Sequence, residues 1–180
     1  MAATDTHLRY GAVAQLFHWT TAMLVVVAFV YGPGGSEQRV YSLAKDADRQ
    51  LHETLGLAVF TLAIIRLAWR AFDVSPDDPP MSPWMTLSAR VLHATLYVLL
   101  FLLPITAISG AWLEGHPLTL LGNVRVEPWL AERHSVGSAI ASLHTWLGDT
   151  ILWVAGVHAV AGLYHHFILR DGVLRSMLPG

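Results

Sequence analysis

His144 and His158 stand fourteen residues apart in one apolar stretch, LHTWLGDTILWVAGVHAVAGLYHHFILR, residues 143–170. On a helix rising about 1.5 Å and turning about 100° per residue, they are separated by about 21 Å along the axis and about 40° around it. One face of one helix therefore presents two imidazoles at two depths of a membrane. An imidazole in hydrocarbon has polar nitrogens to satisfy, and an ionisable residue inside a membrane segment marks a functional site by default. Axial ligation of a haem iron satisfies one nitrogen outright, and two such ligands at this spacing would hold two haems stacked across the bilayer.

The elements that must position these groups are read from apolar length. Four segments are long enough to cross about 30 Å of hydrocarbon, at residues 10–31, 49–72, 86–112 and 143–170. The first stops at Gly32-Pro33-Gly34-Gly35, the second is followed by Asp77-Asp78-Pro79-Pro80, and Pro104 predicts a kink in the third. The connection over 113–140 is too polar to span and too apolar for a loose linker, which predicts an interfacial cap. No internal repeat is visible, and residues 1–180 read as a single all-α membrane domain, a four-transmembrane-helix bundle enclosing two b-type haems.

Alternating helix direction then assigns sides. His18 lies early in the first helix and His158 late in the fourth, both near the terminal side; His52 and His144 open the second and fourth helices near the loop side. The expected pairs are His18 with His158 and His52 with His144. A porphyrin edge beside its ligand needs a small residue about one turn away, and Gly56, Gly148, Gly162 and Ala22 follow His52, His144, His158 and His18 by four. His93 is followed instead by Tyr97, which predicts a supporting role toward a propionate or a quinone. Arg66, fourteen residues after His52, is placed to meet propionates on the terminal side, as Lys45, Arg49 or Arg133 are on the other.

Composition agrees with a membrane protein: 54% of the 180 residues are apolar, 13% are charged and seven are Trp, with positive mean hydropathy. The absence of cysteine excludes disulfides, iron–sulfur clusters, thiolate ligation and covalent haem attachment. No basic run points to nucleic acid. The N-terminal segment shows no small-residue cleavage site and is expected to stay as the first helix. Arginine and lysine divide almost evenly between the two sides, with those nearest the helix ends favouring cytoplasmic termini. His165 and His166 read as interfacial anchors, and His7, His116 and His134 as solvent-facing, the last two near an external substrate.

A single metal ion is a poor rival, since ligands fourteen residues apart cannot share one. A non-redox transporter with a histidine proton relay would need carboxylates at mid-membrane depth; Asp149, expected one turn inside the fourth helix, is the nearest.

The chain resembles the bacterial cytochrome b561 family in RYGAVAQLFHW, LHETLGLAVFTLAIIRLAWR, ARVLHATLYVLLFLLPITAISG and LHTWLGDTILWVAGVHAVAGLYHHFILRD. The resemblance implies two haem b groups on the same four histidines, in the bacterial inner membrane. It implies electron transfer between an outer-face donor and the ubiquinone pool, with superoxide or a periplasmic redox protein as donor. Basic groups such as Lys45, Arg49 or Arg133 would attract superoxide, and His93, His165 or Arg66 would serve a quinone. A cytochrome b relay subunit for a separate partner is the alternative within the class. Nothing in the sequence decides for or against a homodimer.

Overall fold

The structure, a computed structural model, describes residues 9–72 and 81–178. His7 and the Asp77-Asp78-Pro79-Pro80 segment lie outside the described residues. The elements in order are α1 (Ala12–Tyr31), α2 (Glu37–Val40), a 3-10 turn (Leu43–Lys45), α3 (Asp46–Arg70), α4 (Pro83–Leu113), β1 (Leu118–Leu120), β2 (Val124–Val126), α5 (His134–Tyr164), a π-helical turn (His165–Leu169) and α6 (Val173–Met177).

Four helical stretches, Ala12–Tyr31, Leu43–Arg70, Pro83–Leu113 and His134–Leu169, are long and apolar enough to cross a membrane. Their ends follow local chemistry. Gly32 and Pro33 close α1, and Pro83 occupies the first turn of α4, where a missing N–H costs nothing. Pro104 lies inside α4 without ending it.

The chain diverges from the sequence expectation at the start of α5, which begins at His134 rather than near residue 143. Residues 134–142, HSVGSAIAS, are too small and polar to register as hydrocarbon-spanning. Smallness is what packs them, however: a Cβ on Gly137 would come within 2.6 Å of the Glu114 amide nitrogen, and one on Gly110 within 3.1 Å of that of Ala141. This is the small-residue crossing that lets membrane helix backbones meet.

The expected cap is an antiparallel hairpin, Leu118 paired with Val126 and Leu120 with Val124, its turn made by Gly122 and Asn123 at positive φ. It is bolted to the start of α3: Thr119 N–H donates to the Glu53 carboxylate, Leu121 N–H to Thr54 Oγ1 at 2.9 Å, and Gln50 to Asn123 Oδ1 at 3.1 Å. At the opposite end α6 folds back on α1, where Trp19 Nε1 donates to the Met177 carbonyl at 2.8 Å and Gln15 Nε2 to that of Ser176 at 3.2 Å.

The bundle is two helix pairs, α1 on α3 and α4 on α5, with less direct packing between α3 and α4. The buried apolar layer joining them is small, Val59, Ala63, Leu99, Leu100 and Ile151. Ile151 lies seven residues from both His144 and His158, so this layer sits at mid-depth between them.

Candidate haem-binding site

Histidines from facing helix pairs meet at two levels. On the loop side the rings of His52 (α3) and His144 (α5) have centroids 5.9 Å apart; on the terminal side those of His18 (α1) and His158 (α5) are 6.1 Å apart. A metal bonded at about 2.0–2.1 Å to a nitrogen of each of two opposed imidazoles sets their centroids about 6.4 Å apart. Both separations are close to that requirement. His93 from α4 lies nearer to His158, at 5.3 Å, which is about 1 Å too short for an iron between them.

The loop-side rings are also oriented. His52 Nδ1 is 2.7 Å from the Ala28 carbonyl and His144 Nδ1 is 2.9 Å from that of Leu103, so each ring donates from Nδ1 and keeps Nε2 for a metal. Such outer contacts fix the tautomer of a metal-binding histidine.

Between these rings runs an apolar cleft of about 120 Å³, lined by His52, Gly56, Leu103, Pro104, His144 and Gly148 among others. A Cβ on Gly56 or Gly148 would meet nothing within 4 Å, so both glycines open onto space beside the imidazoles. The terminal side differs. A Cβ on Gly162 would touch Leu174 of α6 at 3.8 Å, and Ala22 is exposed, so among the described residues the apolar cleft beside small neighbours lies at the loop-side pair. Arg66 stands over the Tyr97 ring at 5.6 Å. The buried Tyr97 hydroxyl and Thr21 Oγ1 have no hydrogen-bond partner among the described residues. An unpaired hydroxyl beside a cation, as at Tyr97 and Arg66, suits the acidic edge of a haem.

Several expectations change. Lys45 is paired with Asp48 at 2.8 Å, and Arg49 with Glu53 at 3.1 Å and with Asp46, so their charges are locally balanced and form a weak lure for an anion. His165 is held by Asp171. Asp149 lies fifteen residues into α5, not one turn, and is exposed, about 140° around the axis from His144 and 180° from His158; it lines up with neither pair as a proton relay requires. His134 is exposed, as expected, whereas His116 is half-buried, and both are engaged: their Nε2 atoms are 2.7 Å (His116) and 3.0 Å (His134) from the two oxygens of Glu37. The hydrogen bond from His116, more than that from His134, draws the Glu37 carboxyl below its ordinary range. Burial, reinforced by Glu37, pushes Glu114 up, and burial raises Tyr41.

The sequence profile of prokaryotic cytochrome b561 matches residues 9–180. Cytochrome b561 homolog 2 of Escherichia coli strain K12 is 31% identical, over 99% of this chain and 95% of the relative. The probable superoxide oxidase CybB of Yersinia pestis is 26% identical over 96% and 97%, and cytochrome b562 of Cereibacter sphaeroides 26% over 94% of each.

Proposed function

We propose, from the premise that this chain belongs to the prokaryotic cytochrome b561 family, that it is a di-haem electron conduit of the bacterial inner membrane, passing electrons from an outer-face donor to ubiquinone. Membership makes it a membrane b-type cytochrome of electron transfer. The observation that carries the finer reading is the pair of imidazole couples, 5.9 and 6.1 Å between rings, set at two depths along α5. His52 and His144 are assigned to one haem and His18 and His158 to the other. Each haem, when bound, supplies a one-electron ferric–ferrous couple.

The chain's own residues do the rest. His52 with His144, and His18 with His158, would each hold one haem iron from two sides, and a haem so held would supply electron transfer rather than binding of oxygen or substrate at the metal. The Ala28 and Leu103 carbonyls hold the loop-side rings, while Arg66 and Tyr97 are assigned to the terminal-side propionates and His93 to support beside them. The mid-depth layer around Ala63 and Ile151 keeps water from passing between the two levels.

Superoxide is the donor favoured by the likeness to the probable superoxide oxidase CybB. Two superoxide anions would become two O₂ and yield two electrons, which with two protons convert ubiquinone to ubiquinol. The purified protein is expected to give two b haems per chain by pyridine haemochrome, and superoxide is expected to drive ubiquinol formation. Absence of haem sinks the reading; haem without superoxide-dependent quinol formation sinks the donor and leaves the relay to a partner protein.

The open space beside Gly148 gives a sharper result. Gly148→Leu retains all four histidines and fills the cleft, so haem content is expected to fall by about half while the terminal-side haem stays. Two haems in the variant would remove the cleft from the site.

A further inference from the structure

On the loop side, outside the spans, three side chains converge from two places in the chain: Glu37 from α2, and Glu114 and His116 just beyond α4. One potential ligand atom from each lies within 4.8 Å of the others. His134, at the start of α5, reaches the second oxygen of Glu37 at 3.0 Å. We propose that Glu37, Glu114 and His116, with His134 at the edge, form a binding site for a divalent transition-metal ion of the zinc class, separate from the haem-binding histidines.

The donor set suits such an ion, which takes imidazole nitrogen and carboxylate oxygen in a tetrahedron with bonds of about 2.0–2.2 Å. Ligand atoms so arranged lie about 3.4 Å apart, so the cluster closes by small side-chain rotations. An independent observation concerns Glu114. It is only 8% exposed, and its carboxylate accepts no hydrogen bond among the described residues. It also caps the C-terminus of α4, where the helix dipole disfavours an anion and favours a cation. A carboxylate in that position, beside that of Glu37, is a costly arrangement that a divalent ion relieves.

The imidazole of His116 is already aimed. It stacks on Tyr41 with centroids 3.5 Å apart and planes 22° apart, and the far partner of Tyr41 is the Arg49 guanidinium at 5.3 Å. Bound metal would tie α2, the end of α4 and the start of α5 together above the His52–His144 level.

The test is zinc titration of the chelator-treated, haem-loaded protein in detergent, by calorimetry with metal analysis after dialysis. One Zn²⁺ per chain is expected, with affinity lowered at least tenfold in Glu114→Gln and in His116→Ala and unchanged in His166→Ala. The visible haem spectrum reports that each variant is folded and separates this result from the haem assignment. Failure to bind zinc stoichiometrically, wild-type affinity in Glu114→Gln, or loss of binding in His166→Ala overturns the proposal.

Discussion

Replacing His144 with alanine is expected to remove one of the two b haems proposed for the parent, and to slow the proposed ubiquinone reduction by more than about a hundredfold. Losing a contact that merely orients a metal-binding histidine costs about 10–100-fold in affinity or activity, and this change removes the proposed ligand itself. His158→Ala is expected to do the same at the other level, with a different haem remaining and hence a different midpoint potential in a redox titration. His93→Ala is the control that separates two geometries. His93 is the nearer neighbour of His158, at 5.3 Å against 6.1 Å for His18, yet the shorter distance leaves too little room for an iron. Both haems are expected to survive in His93→Ala and one to be lost in His18→Ala. The reverse result would reassign the terminal-side ligand to α4.

The second large effect is structural. Gly137→Ala places a methyl group 2.6 Å from the Glu114 nitrogen and 2.8 Å from the Leu113 carbonyl carbon, and both are backbone atoms that no side-chain rotation can move. The α4–α5 crossing must open. Overpacking of a close contact costs about 1–3 kcal/mol, and this one lies at the backbone level and next to the Gly110–Ala141 contact, so the upper part of that range is expected. Because α5 carries a histidine of each pair, the displacement should also loosen His144 against Leu103. Thermal melting followed by the haem absorbance would show a lowered midpoint; an unchanged midpoint would mean that the helices do not cross this tightly in the membrane.

The four histidines and their levels were legible because a membrane helix is long, regular and nearly featureless, so a fourteen-residue spacing converts directly into depth and face. Helix direction then assigns the sides. The acceptors for Nδ1 were not legible, since Ala28 and Leu103 contribute only carbonyls, which every residue possesses. The first nine residues of α5 escaped for a different reason. They are helical through contact with α4, and a stretch such as SVGSAIAS carries no apolar signal of its own. The gathering of Glu37, Glu114 and His116 depends on where α2 and the turn after α4 come to rest, which no local pattern encodes. Gly162 and Ala22 mark the limit of the spacing rule: a small residue one turn from a histidine permits a planar group there, but at Gly162 the neighbouring space is taken by Leu174.

The placement of both α5 histidines on one rigid helix has an electrical consequence. An electron passed from one imidazole pair to the other moves about 21 Å along an axis that crosses about 30 Å of hydrocarbon. It therefore traverses about two-thirds of the membrane's voltage drop. With about 2.3 kcal/mol per charge for each 100 mV, the step between levels is biased by about 1.6 kcal/mol per 100 mV, or roughly fifteenfold. A protein with this geometry is electrogenic, charging or discharging the membrane with each electron it carries between the two levels.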